Sequence, residues 1–357
     1  MGESVPKRRW PRLLVFVAIA LVLASPRAVA APDIEWKTLD WDGLQRVYGV
    51  YVPTGRPETA PLVFLLHGGG GSAQKTWNQE HGRSWRALAD EYGFVLVLPE
   101  GRPDPGDHDA HHWNDCRTGV ESAAVLSTED DVGFITRLLD MVGKAVSIDP
   151  DRVYATGASN GGMMTYRLAI EAGEQFAAVA ALIANLPDPS ECGTGSAPIP
   201  ILIMNGTDDP LIPFEGGCVA GERCERGRVL STEETIAYWI GVNGTSTEPT
   251  IEMLPNRSWF DRSTVIVYTY PSEAGDADVV YYHIQGGGHS VPGFEQASAA
   301  RRAVAGPKNR DIDGPTEIWS FFEGIPKAEF AWLRQRGSER TECQVLPYPK
   351  PYKFGRC

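Results

Sequence analysis

The feature that most constrains this chain is a series of short runs in which nearly every residue is apolar. LVFLLH at Leu62–His67, FVLVLP at Phe94–Pro99 and IPILIM at residues 199–204 leave no polar face. A strand with one wet face alternates apolar and polar residues, whereas a strand that is apolar throughout must be covered on both sides, as in a parallel sheet. Further β-rich runs occupy Arg46–Val52, Val153–Ala158, Ala177–Ile183, Thr264–Tyr270 and Val279–Ile284, and the sixth run extends over Ile199–Asn205. Helical stretches fall between or after them at Trp85–Tyr92, Glu129–Val146, Gly161–Ala172, Thr232–Asn243 and Pro315–Phe322. The longest carries Val132, Ile135, Leu138, Leu139 and Val142 on one face. Alternating strands and helices predict an α/β fold, a mostly parallel central sheet of about eight strands with helices on both faces. No repeat or linker divides it, so residues 31–340 are expected to form a single domain.

The two ends read differently. Residues 1–30 combine Lys7, Arg8, Arg9 and Arg12 with an apolar run from Leu13 to Ala24 and the small residues Ala28 and Ala30, the pattern of a secretory signal peptide cut after Ala30. The run is too short to span a bilayer, so no membrane association is expected after cleavage. Residues 341–357, with Pro347, Pro349 and Pro351, predict an irregular tail. An exported chain with six cysteines predicts disulfides, and six allow fifteen pairings. Short loops close at low entropic cost, which favours Cys218–Cys224 and Cys343–Cys357 and leaves Cys116–Cys192. The net charge of −13 becomes more negative without the leader, 28 basic against 45 acidic residues. That balance excludes a nucleic-acid partner and favours neutral substrates over anionic polymers. Oligomeric state is not encoded in any of these patterns.

Chemistry concentrates in three separate stretches. Gly157-Ala158-Ser159-Asn160-Gly161 stands between a strand-like and a helical run. Such a sharp turn forces its serine into strained backbone geometry and projects the hydroxyl at the carboxyl edge of the sheet, beside a helix N-terminus. A hydroxyl needs a base to become a nucleophile. His289, in the glycine-rich stretch Gly286–Gly293, follows the last strand-like run and supplies one, whereas His283 within that run reads as structural. The acid lies between them at Asp208-Asp209, just after a strand, with Asp209 favoured over Asp208. His67-Gly68-Gly69-Gly70-Gly71 follows another strand, and its backbone amides can approach a ligand oxygen closely. Gly68, Gly69, Gly70 and the amide of Asn160 are therefore candidate oxyanion donors. No Gly-Lys-Ser or Gly-Lys-Thr triplet follows these glycines, which argues against a phosphate loop.

These pieces together resemble the exported polyhydroxybutyrate depolymerase and feruloyl esterase-like family of α/β-hydrolases. The resemblance rests on LLHGGGG (65–71), LPEG (98–101), DDVGF (130–134), IDPDRVYATGASNGGMM (148–164), NGTDDPLIP (205–213), GGGHSVPG (286–293) and NRDID with IWSFF (309–322), over about residues 45–325. It implies the α/β-hydrolase fold and an acyl-transfer mechanism on carboxylic esters with Ser159, Asp209 and His289 in the catalytic roles and no cofactor. Asn205 stands where the family usually has a histidine. Short hydroxyalkanoate oligomers are the expected substrates, with feruloyl or acetyl esters as the alternative and peptides as a further one; filled triad positions argue against a non-catalytic binding protein. In the polar loop 104–117, Trp113 is a candidate substrate-stacking wall. Asp107, His108, Asp109, His111 and His112 read as a solvated loop, with no metal expected. Asp130 and Asp131 are expected to start a helix.

Overall fold

The computed structural model describes residues 1–2, 33–120, 130–193, 197–273 and 277–325. In chain order the strands are β1 Glu35–Trp41, β2 Leu44–Tyr51, β3 Ala60–Leu66, β4 Val95–Pro99, β5 Arg102–Asp104, β6 Asp107–His112, β7 Ile148–Ala158, β8 Ala178–Leu182, β9 Ile201–Gly206, β10 Gly217–Cys218, β11 Arg228–Val229, β12 Thr250–Met253, β13 Thr264–Tyr270 and β14 Val279–Gln285. The helices are α1 Ala73–Asn78, α2 Glu80–Tyr92, α3 Asp131–Ala145, α4 Asn160–Ala172, α5 Thr232–Asn243, α6 Ala299–Ala305 and α7 Gly314–Glu323. The expected signal peptide, the C-terminal tail and the Cys343–Cys357 pair lie outside the described residues, apart from residues 1–2. Contacts divide the chain into Met1–Ala31 and Pro32–Cys357.

Ten strands form the main sheet, in the order β1-β2-β4-β3-β7-β8-β9-β14-β13-β12. The six from β4 to β14 are mutually parallel, and an antiparallel pair extends each side. The eight runs seen in the sequence are the eight inner strands, so the expected strand number is corrected to ten. The additions are the two outermost strands. β1 reads EWKTLDW and β12 is exposed at all four positions; neither is sandwiched between helical layers, so neither carries a continuous apolar run.

Both faces of the parallel core are covered, as the runs demanded. Leu62, Phe64 and Leu66 of β3 pack into the layer that holds Phe134 of α3, Tyr166 of α4 and Trp239 of α5. Val63 and Leu65 point the other way, toward Trp77 of α1, Trp85 of α2 and Trp319 of α7. Shortening any of these fully buried β3 side chains to Ala would cost about 2–5 kcal/mol. Helix starts follow local chemistry: Asp130 caps α3 by accepting from Gly133 N at 2.7 Å, and Ser231 with Glu234 closes a capping box on α5. Two disulfides, Cys116–Cys192 and Cys218–Cys224, tie down loops on the carboxyl side of the sheet. No helix among the described residues is long and apolar enough to cross a membrane.

Candidate active site

The strand order reverses at β3, which has β4 on one side and β7 on the other. Loops leaving the carboxyl ends of strands at such a point diverge and open a crevice. Leu66 lies opposite Gly157 in the ladder, so the glycine loop after β3 and the turn after β7 are neighbours. Ser159 occupies that turn with φ 60° and ψ −126°, a left-handed conformation that costs about 1–3 kcal/mol for a residue with a Cβ. Its flanking glycines are dictated by contact. A Cβ on Gly157 would run into the carbonyl of Gly161, and one on Gly161 into the carbonyl of His67. Ser159 precedes α4 but makes no side-chain cap bond, which leaves Oγ free to point elsewhere.

Oγ meets the imidazole of His289, with Nε2 at 2.9 Å, and His289 Nδ1 lies 2.7 Å from Asp209 Oδ2. The three side chains come from loops after β7, β14 and β9. Gly206 and Gly287 make the last approach possible, because a Cβ on Gly206 would overlap the backbone of Gly287. The other oxygen of Asp209, Oδ1, accepts from the amides of Leu211 and Ile212, both at 2.8 Å. Those amides orient the carboxylate, which in turn makes Nδ1 the protonated nitrogen and Nε2 the acceptor for the serine proton. Asp208, by contrast, turns to the surface and accepts from its neighbour Thr207 at 3.0 Å.

Of the expected oxyanion donors, Gly68 and Gly69 lie against the serine turn. A Cβ on Gly68 would sit 3.5 Å from Ser159 Cβ, and one on Gly69 would sit 3.2 Å from Asn160 Cβ. Their N–H groups donate to no group among the described residues, and neither does that of Asn160, the first residue of α4. Gly70 is corrected: its N–H donates to the carbonyl of His111 at 3.0 Å, and its φ of 70° makes it the bend of the loop. His67 holds this loop from behind, with Nδ1 2.9 Å from Gly68 O and Nε2 accepting from Gly101 N at 2.9 Å.

Trp113 is a further correction. It is fully buried and no part of the cleft wall. Its indole N–H donates to His67 O at 2.9 Å, and its ring lies 5.0 Å from the His67 imidazole. Asn160 clamps the backbone of Trp113, accepting from its N at 2.8 Å and donating to its O at 2.9 Å, and also donates to Asp115 at 2.6 Å. Asp115 pairs with buried Arg117, and Asp131 pairs with Arg46 at 2.8 Å while accepting from Asn114 N at 2.9 Å. Burial pushes the Asp131 carboxyl up, with Arg46 opposing. Asp131 thus opens α3 as expected but also ties that helix to the loop. The missed brace, Arg46, Asp115, Arg117 and Asp131, had one signal in the sequence: opposite charges flanking a cysteine at Asp115-Cys116-Arg117. Asn205 similarly braces the loop after β8, bonding both the N and O of Ala184 at 3.0 Å. His283 bonds Tyr281 within β14 at 2.9 Å, and burial lowers its pKa. The polar loop is the β5–β6 hairpin; its His and Asp side chains do not converge on a common point, and among the described residues only disulfide-bonded Cys116 and Cys192 with Glu171 do.

A cleft of about 820 Å³ opens above the serine. Its floor includes Met163, Ile183, Leu211, Ile212 and Val219, and its rim carries His81, Arg226, Arg301 and Lys308.

A wound sheet of this order, with a serine elbow at its reversal point, defines an α/β-hydrolase. A family model described as esterase PHB depolymerase matches residues 46–186. "Putative esterase NocK" of Nocardia uniformis subsp. tsuyamanensis is 32% identical over 79% of this chain and 80% of its own length. Poly(3-hydroxyalkanoate) depolymerase C of Paucimonas lemoignei is 26% identical over 74% of this chain and 63% of its own length. Feruloyl esterase C of Emericella nidulans is 28% identical over 58% and 71%. Among solved structures, an acetyl xylan esterase from Aspergillus awamori superposes with a TM-score of 0.54 at 16% identity, covering 81% of this chain and 99% of that one, a likeness of fold. The chain belongs to the esterase PHB depolymerase family of carboxylic ester hydrolases.

Proposed function

We propose that this protein is an exported serine esterase that cleaves short hydroxyalkanoate oligomers through an acyl-enzyme on Ser159. The observation that carries the reading is the continuous relay from Asp209 through His289 to Ser159, set beside amides that have no other partner among the described residues. His289 Nε2 takes the serine proton as Oγ attacks the ester carbonyl. The amides of Gly68, Gly69 and Asn160 receive the developing oxyanion, at the end of α4 where the helix dipole favours negative charge. His289 then protonates the leaving alcohol, and water attacks the acyl-enzyme by the same route in reverse. Two disulfides support export to an oxidising compartment.

Relatives carry both hydroxyalkanoate and feruloyl names, and the cleft favours the first. Its described lining contains no Phe, Tyr or Trp, so a feruloyl ring would find no aromatic surface, while the aliphatic floor suits a short alkyl chain. Ser159→Ala should lower turnover of p-nitrophenyl butyrate by about a thousandfold or more; retained turnover would remove the serine from its role. A hydroxybutyrate trimer should be cleaved with a higher kcat/KM than methyl ferulate, and the opposite order would reassign the substrate.

A further inference from the structure

We propose that Arg301 makes the cleft selective for esters that carry a free carboxylate, as a hydroxy-acid oligomer does at its open acid end. This builds on the serine-esterase reading above and adds the means by which the chain end is recognised. The chain as a whole is acidic, at −13, yet the cleft lining is nearly balanced, with Glu80, Asp104, Glu225 and Glu295 set against five basic residues. Glu80 is already committed to Lys308 and to the amide of Glu295, and Glu295 to Arg83 at 2.6 Å. Arg301 has no carboxylate partner among the described residues. Its one bond is a long one, Nη2 to the carbonyl of His289 at 3.3 Å. A guanidinium has five N–H donors, so most of the capacity of this exposed, cleft-lining side chain is unspent among the described residues.

That bond fixes where the charge stands. It holds the guanidinium beside the residue whose imidazole contacts Ser159, within a single cleft. A carboxylate a few bonds from the scissile ester could then be gripped by two parallel N–H groups, a geometry that a lysine cannot copy. The neighbouring imidazole senses the same positive field. His81, on the same rim, is lowered to about 4, first by burial and then by Lys308, Arg301 and Arg83, so it stays neutral and does not compete for the anion near neutral pH.

The test compares a hydroxybutyrate dimer with a free acid end and the same dimer capped as a carboxamide, following cleavage of the identical central ester. The wild-type protein should prefer the acid, and Arg301→Ala should cut the acid-to-amide ratio of kcat/KM by about tenfold or more, the worth of a charge-assisted hydrogen bond. Arg301→Lys should restore part of the ratio. A wild-type ratio of one or less, or an equal loss on both dimers in Arg301→Ala, would overturn the proposal. If neither dimer is cleaved while p-nitrophenyl butyrate still is, the hydroxyalkanoate assignment fails instead. Selectivity is then read from p-nitrophenyl hydrogen adipate against p-nitrophenyl hexanoate, with the same expected and overturning outcomes.

Discussion

The floor and the rim of the cleft are held together by different physics. Beneath the serine, three acceptor-bearing side chains are buried and partnered: Asp209 by two amides and an imidazole, Asn160 by three bonds, Asp131 by Arg46 and a backbone amide. On the rim, Arg83 and Glu295 pair with side chains 44% and 61% exposed. Desolvated networks fix geometry and are costly to break; exposed pairs are screened and cost little. The position of the proposed reacting groups is therefore built into the core, while the rim is free to vary at the surface.

Four substitutions probe this contrast. Asp209→Asn should reduce turnover by about ten-thousandfold, because an amide in that place favours the wrong imidazole tautomer. Asp208→Asn should change it no more than a few-fold, and similar losses at the two positions would erase the distinction between floor and surface. Asp131→Ala should destabilise the fold by about 3–5 kcal/mol, since it strands the buried Arg46 charge. Urea denaturation reads this directly, and a loss under 1 kcal/mol would place the brace among the dispensable pairs. Arg83→Ala should cost less than about 1 kcal/mol in the same assay, shrinking further in salt; a larger loss would mean that the rim is as tightly built as the floor.

The same contrast decides what could be read from sequence. The inner strands were legible because burial on both faces leaves a run such as LVFLL with no polar position. The outer strands were not, since Thr250–Met253 carries no burial pattern at all. Glycines at fixed distances around Ser159 announced a turn that only they can make. Trp113 was misplaced because its neighbours in sequence are polar, and those polar neighbours are themselves inside, paired with partners far along the chain such as Asn160. Gly70 could not be separated from Gly68 and Gly69, because which amide is already spent depends on His111 in a hairpin about forty residues later. Local chemistry shows in a string of residues; the identity of a remote partner does not.

The positive φ at Ser159 has a consequence for anyone who would re-engineer the proposed nucleophile. A β-branched side chain resists a left-handed backbone, so threonine, despite its hydroxyl, is barred from this turn by its extra methyl. Cysteine, unbranched at the same carbon, is the exchange that the elbow permits, and any thiol chemistry grafted onto this scaffold would have to start there.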